Sequence, residues 1–170
     1  VPASTADKWQ WPQWRGPDRN GKSKETGLLK VWPKDGPRLL WHADGLGNGY
    51  STVSIADGSV YTTGTVDDRE WLFAMDRQGK LQWKVPYGPA WNGPYPEART
   101  TPTVDDGRVY VISGMGRICC LNARNGQACW EVDAMREFGG KYHTWGMAES
   151  PLIDGDKVFC TPAGERTAVV

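Results

Sequence analysis

The 170-residue sequence has few of the residues on which metal, nucleic-acid and membrane sites depend. Its only histidines are His42 and His143, and its four cysteines form no Cys-x-x-Cys pair, so we expect no metal site. Twenty Lys and Arg balance twenty Asp and Glu, which argues against nucleic-acid binding driven by bulk charge. No apolar run approaches the roughly 18 residues of a membrane-spanning helix.

Helical periodicity is also missing. The best helical candidate, residues 134–138, is ended by Gly139 and Gly140 after little more than one turn. The sequence is instead rich in turn-forming and aromatic residues, with 21 Gly, 12 Pro and 10 Trp. Many turns and many aromatics together predict an all-β chain of short strands.

A repeat of 49 residues organises the chain. Tyr61, Tyr110 and Phe159 are 49 residues apart, and each follows an Asp/Gly turn that itself follows a short apolar stretch. Residues 72–83 and 120–130 share a second pattern, which reads as a strand, a tight Gly turn and a strand ending near a Trp. Four short antiparallel strands in 40–50 residues, here called A to D, are typical of one β-propeller blade.

The repeat predicts an all-β, incomplete β-propeller of about two and a half four-stranded antiparallel blades. Propellers typically close with four or more blades, so we expect the chain to be a fragment of a longer protein. The predicted organisation is an N-terminal aromatic arm at 1–36 and a partial propeller at 37–170, with a lone strand D at 37–43, blades at 50–86 and 99–133, and a partial blade at 148–170.

The repeat resembles that of the pyrroloquinoline-quinone (PQQ) β-propeller proteins, whose pattern is Ala-x-Asp-x-x-x-Gly-x-x-x-Trp. One repeat matches with a turn one residue shorter, and the other has Asn in place of Asp; the matching residues are Ala74, Asp76, Gly79 and Trp83, then Asn122, Gly126 and Trp130. Residues 11–21 resemble the N-terminal arm of secreted bacterial members. The resemblance implies that Trp41, Trp83 and Trp130 dock between blades.

The PQQ-like family includes quinoprotein alcohol and sugar dehydrogenases as well as a scaffold lipoprotein of outer-membrane assembly. We expect a periplasmic or secreted binding or scaffold module with a protein or glycan partner, its signal peptide removed before the small-residue stretch at 1–6. The alternative is a dehydrogenase that uses PQQ and Ca²⁺, with catalytic residues outside this chain. The resemblance implies an Asp base beside the Ca²⁺, and the two long loops lack such an Asp.

Candidate ligand-binding residues lie in the long loops that precede each strand A. Strand A is innermost in a propeller, so Tyr50, Arg99 and Glu149 are predicted to ring the central channel, with Trp91 or Trp145 as a stacking surface. In the competing interpretation, Arg99 and Glu149 simply pair with each other or with a neighbouring blade. His143 is either a base or a loop histidine bonded to backbone.

Three arrangements of the cysteines remain open. A vicinal Cys119–Cys120 disulfide would need a turn where the repeat demands strand C. A cross-strand Cys120–Cys129 bond fits one hairpin register. The third arrangement is buried free thiols. The arm aromatics Trp9, Trp11, Trp14 and Trp32 either stack on carbohydrate or pack across the propeller rim.

Overall fold

The computed structural model describes residues 9–165 and 168–170. The small-residue stretch at 1–6 lies outside the described residues. The elements in chain order are β1 (Ser54–Ala56), β2 (Ser59–Val66), β3 (Arg69–Asp76), β4 (Leu81–Pro89), β5 (Thr103–Asp105), β6 (Arg108–Ile112), β7 (Arg117–Asn122), β8 (Ala128–Asp133), α1 (Ala134–Phe138), β9 (Leu152–Asp154) and β10 (Lys157–Phe159).

The strands form two four-stranded antiparallel sheets and one two-stranded sheet. Blade 1 is β1–β2–β3–β4 and blade 2 is β5–β6–β7–β8, each in sequential order, and β9 and β10 form a partial blade. Beyond β10, Cys160 and Val170 exchange two backbone hydrogen bonds of 3.0 Å. The prediction of a propeller built from four-stranded antiparallel blades is confirmed.

The Asp/Gly turns close the innermost hairpins. Asp57 and Gly58 connect β1 to β2, Asp106 and Gly107 connect β5 to β6, and all four have positive φ. Two consecutive residues with positive φ form the turn whose twist matches that of paired strands, and Asp and Gly tolerate this conformation best. The turn chemistry therefore fixes the register that repeats every 49 residues.

The main core lies between the facing surfaces of the two complete blades. Tyr61 and Leu72 of blade 1 pack with Val109 and Leu121 of blade 2, and all four are at most 2% exposed. A smaller cluster joins Tyr110 and Cys120 of blade 2 to Ile153 of the partial blade. Each sheet is therefore buried against the next sheet in the sequence, as the propeller arrangement requires.

Two tryptophans lie on hairpin glycines of the following unit. A side chain added at Gly79 would come 2.5 Å from the ring of Trp41, and one at Gly126 would come 2.6 Å from the ring of Trp83. The Trp83 indole also donates a 3.2 Å hydrogen bond to the Ala123 carbonyl. Trp130 has no such glycine beneath it among the described residues and is 39% exposed.

Residues 37–43 form no strand in the structure, although the sequence predicts a lone strand D there. A strand D pairs with the strand C of its own blade, and no described segment offers that partner to residues 37–43. Trp41 still contacts Gly79, so this segment is held by side-chain packing instead of a sheet ladder.

Helix α1 occupies the short stretch that the sequence marks as the best helical candidate. Asp133 caps its start by accepting a 3.0 Å hydrogen bond from the Arg136 backbone, and Gly139 ends it in the left-handed conformation. Among residues 9–165 and 168–170, no helix has the length and apolar character needed to cross a membrane.

Candidate functional site

Three residues at equivalent repeat positions lie together beside the starts of the innermost strands. Tyr50, Arg99 and Ala148 are 49 residues apart, and all three line two adjoining hollows of about 420 and 520 Å³. Tyr95 and Trp145 complete the larger hollow, with ring centroids 5.2 Å apart. We call the space lined by Tyr50, Tyr95, Arg99, Ala148 and Trp145 the axial cup.

Strand starts from successive blades support the axial cup. The hydroxyl oxygens of Thr52 and Thr101 are 2.9 Å apart, and Ser150 accepts a 3.2 Å hydrogen bond from the Thr101 backbone. These three residues are again 49 apart, and each lies two residues after Tyr50, Arg99 or Ala148. These hydrogen bonds join the innermost strands of three units. The repeat itself therefore fixes the spacing of Tyr50, Arg99 and Ala148.

The N-terminal arm crosses the inner strands on the side of the smaller hollow. Trp11 exchanges backbone hydrogen bonds of 2.8 and 2.9 Å with Ile55, and the Pro12 carbonyl accepts a 2.7 Å bond from Val104. The Arg19 guanidinium donates to the Ile153 carbonyl. Ile55, Val104 and Ile153 occupy one repeat position, so the arm runs across three successive strands A at the same level.

The arm thereby contributes to the lining of the smaller hollow through Gln13, Trp14 and Arg15. Strand A is the edge strand nearest the axis, and an edge strand presents unpaired backbone groups. The arm satisfies some of those groups without forming a regular strand. Trp14 stays 59% exposed and Trp32 64% exposed, so the arm aromatics do not pack as one unit across the rim.

Removing the arm should expose the amides that it covers. We expect deletion of residues 1–21 to speed amide hydrogen exchange at Ile55 and Val104 by at least about tenfold, because each loses its hydrogen-bond acceptor. The Val109 amide, inside blade 2, is the internal control and should keep its rate. Unchanged exchange at all three amides would show that the arm does not protect the inner strands in solution.

Arg99 is the central charged group of the axial cup. One terminal nitrogen donates to the Trp145 carbonyl, which joins the two long loops, while Nε is buried without a hydrogen-bond partner in the described structure. Burial lowers the pKa of Arg99, and the nearby Glu70 carboxylate opposes that effect. The guanidinium therefore remains a partly desolvated cation beside three aromatic rings.

A buried carboxyl that the sequence analysis does not single out holds the loop of the cup. Glu70 is fully buried; it accepts a 2.6 Å bond from the Tyr87 hydroxyl and a 2.9 Å bond from the Gly114 backbone. The Trp91 backbone also donates to it. Burial raises the pKa of Glu70, while these hydrogen bonds and Arg99 act in the opposite direction. Glu70 thus joins strand β4 and the start of the loop that enters blade 2 to the turn between β6 and β7.

The structure separates the predicted site residues into two groups. Tyr50, Arg99 and Trp145 line the cup, and Glu149 lines the smaller hollow. Trp91 and His143 do not line either hollow: Trp91 packs against Tyr142 at 5.8 Å, and the His143 side chain is exposed. Tyr95, which does line the cup, is absent from the sequence-based set.

Glu149 does not pair with Arg99. Its two carboxylate oxygens accept hydrogen bonds of 2.5 Å from the Thr161 backbone and hydroxyl. The equivalent residue one repeat earlier, Thr100, contacts the equivalent position but with the opposite direction, since its hydroxyl donates a 2.6 Å bond to the Ile112 carbonyl. Glu149 therefore ties the loop to strand β10's end, and Ala148 takes the rim position that matches Tyr50 and Arg99.

Comparison with known proteins places this arrangement in a family. Residues 68–170, more than half of the chain, match the PQQ-like repeat family described as outer membrane protein assembly factor BamB. The chain belongs to this family.

Solved structures and one curated protein show more distant likeness. The quinohemoprotein alcohol dehydrogenase of Comamonas testosteroni has a TM-score of 0.53 and 20% identity, over 72% of this chain and 18% of that chain. BamB from Moraxella catarrhalis has a TM-score of 0.43 and 20% identity, over 64% and 29%. Cell wall protein phiA of Emericella nidulans is 26% identical over 74% of this chain and 69% of its own length. The chain spans less than a third of these solved structures, and the dehydrogenase likeness shows the fold alone.

The described residues of this PQQ-like chain do not fit a calcium–quinone site. Across residues 9–165 and 168–170, three or more His, Cys, Asp or Glu side chains nowhere come together as metal ligands. Both oxygens of Glu149 are engaged by Thr161. Cys119 and Cys120 are free thiols within β7, and they belong to separate core clusters on the two sides of the sheet.

Proposed function

We propose that this PQQ-like propeller is a binding module of the periplasm or cell exterior that holds a partner protein in the axial cup. The observation that carries the proposal is the convergence of Tyr50, Tyr95 and Trp145 on the guanidinium of Arg99. Aromatic rings with one placed charge are typical of recognition sites, because the rings supply contact area and the charge orients the ligand.

The charge of the cup favours an acidic partner segment. Arg15 and Arg99 both line the smaller hollow, and Glu149, the acid in that lining, has its oxygens bonded to Thr161. The larger hollow is mainly apolar and aromatic. We therefore propose an extended segment that presents a carboxylate to Arg99 and an apolar side chain to Tyr95 and Trp145.

Selection from a displayed random-peptide library with the full-length protein tests this function. We expect enrichment of peptides that combine Asp or Glu with apolar residues, and a loss of affinity of about tenfold or more in Arg99→Gln and Trp145→Ala when the best peptide is titrated by calorimetry. His143→Ala is the matched control, because its imidazole lies in the same loop but outside the cup.

Three results would overturn the proposal. Enriched peptides that bind the Arg99→Gln and Trp145→Ala variants as well as wild type would move the binding site elsewhere. Saturable, Ca²⁺-dependent quenching of Trp fluorescence by PQQ, with dye reduction on a simple alcohol, would replace the binding module with a quinoprotein dehydrogenase. Stacking of neutral oligosaccharides in the cup, with no peptide binding, would make it a glycan site.

A further inference from the structure

A β-bulge in blade 2 brings two cysteines together. Cys120 pairs with Trp130, and Leu121 pairs with Ala128, so Cys129 is the extra residue between them. In such a bulge, two residues of one strand oppose a single residue of its partner. Cys129 and Trp130 therefore both lie opposite Cys120, whereas a regular ladder continued from Leu121 and Ala128 would pair Cys120 with Cys129 alone.

The two thiols differ in accessibility. Cys120 is fully buried, against Tyr110 and Ile153, whereas Cys129 is exposed. One thiol is thus open to a soluble reagent and the other is available only to its neighbour, which is the division that a two-step thiol–disulfide exchange needs.

A cation lies next to this pair. The Arg108 guanidinium of β6 acts electrostatically on both Cys120 and Cys129. Its charge lowers the pKa of Cys120, but burial has the larger effect. Burial raises the pKa of Cys120 to about 11, so the exposed Cys129 is the thiol that reacts first.

We propose that Cys129 and Cys120 form a thiol–disulfide exchange site that closes into an intramolecular disulfide across β7 and β8. The Cys129 thiolate attacks a small-molecule or protein disulfide, forms a mixed disulfide and releases one thiol of the oxidant. The Cys120 thiolate then attacks the Cys129 sulfur and expels the second thiol. Two cysteines lose two protons and two electrons, and one external disulfide is reduced to two thiols.

The bond would fix the strand that carries a docking tryptophan. Trp130 follows Cys129 directly, and its ring lies 6.1 Å from that of Tyr110. The other two cysteines stand apart from this pair: Cys119 is buried on the opposite face, where it contacts the Tyr87 carbonyl at 3.3 Å, and Cys160 packs near α1.

Oxidised glutathione is the probe for this site. After incubation of the reduced full-length protein at mildly alkaline pH, acid quenching and unfolding, we expect two of its thiols to be lost and a peptide map that links Cys120 to Cys129. Cys120→Ser should instead retain one glutathione on Cys129, because the second step has no thiol. Cys119→Ser is the matched control and should still form the internal bond.

The map of the wild-type protein decides the question without any variant. A stable glutathione adduct on wild-type Cys129, with no internal bond, would overturn the proposal because it shows that Cys120 cannot reach the mixed disulfide. A Cys119–Cys120 linkage would overturn it as well. Full retention of all thiols under conditions that oxidise a model dithiol would exclude an exchange site.

Discussion

Replacing Trp83 with alanine should lower the free energy of unfolding by about 3 kcal/mol, since a large aromatic packed between sheets is lost. The Trp83 ring covers Gly126 of the next blade, packs beside Tyr61 at 6.0 Å and donates to the Ala123 carbonyl. The substitution removes all three contacts and leaves a gap between blades 1 and 2. Urea unfolding of the full-length protein, followed by far-ultraviolet circular dichroism, measures the change.

Trp32→Ala is the matched control for Trp83. The same indole is deleted, but Trp32 is 64% exposed in the N-terminal arm, so its loss should cost less than about 1 kcal/mol. Similar urea midpoints for the two variants would contradict a blade-docking role for Trp83. A second variant, Gly126→Ala, tests the opposite side of the contact, because its added methyl meets the Trp83 ring at a positive φ.

Replacing Glu70 with alanine should be comparably destabilising, by about 3 kcal/mol. The Tyr87 hydroxyl and the Gly114 backbone N–H would both lose the Glu70 carboxylate that accepts their hydrogen bonds, at a site that is fully buried. Glu70→Gln keeps an acceptor oxygen and should cost less. Glu25→Ala, in the exposed arm, is the control for loss of a glutamate from the surface.

The free energy of unfolding of wild type and of Glu70→Gln should depend differently on pH. Burial raises the pKa of Glu70 above its ordinary value of 4.5, so the folded protein holds this proton more tightly than the unfolded chain does. The resulting stabilisation is complete below pH 4.5 and is lost as the pH rises through the raised pKa. Wild type should therefore lose stability relative to Glu70→Gln over that window.

Urea midpoints of wild type and Glu70→Gln, compared at several pH values from 4 upward, test this linkage. A constant difference between the two proteins would show that Glu70 titrates alike in the folded and unfolded states.

The Glu70→Ala variant should also weaken the peptide binding proposed for the cup. The reason is that Glu70 holds the Trp91 and Gly114 backbone groups on which the loop carrying Tyr95 and Arg99 rests.

The repeat made most of the fold predictable. Asp/Gly turns at a fixed interval set the hairpins, and alternating apolar residues such as Tyr61 and Leu72 mark faces that need another sheet. Residues 37–43 form no strand here because a strand exists only if a neighbour accepts its backbone hydrogen bonds, so the strand D predicted there stays a prediction.

The candidate site was predictable only in part. Tyr50, Arg99 and Trp145 follow from their places before the strands A, because one repeat position maps to one level around the axis. The 49-residue spacing points to Ala148 at the third position, and the choice of its charged neighbour Glu149 departed from that spacing. The structure shows the carboxylate of Glu149 bonded to Thr161, 12 residues further along. Neither Tyr95 nor the buried Glu70 carries a local signal.

The sequence by itself determined the architecture, because turn chemistry and strand periodicity are local properties that recur with every repeat. The tertiary structure alone decided the course of the arm over Ile55, Val104 and Ile153, the burial of Glu70 beside Gly114, and the bulge at Cys129 that pairs Cys120 with Trp130. Each of these features joins segments through contacts whose energy depends on distance in space. The spacing of residues along the chain does not show which segments will come that close.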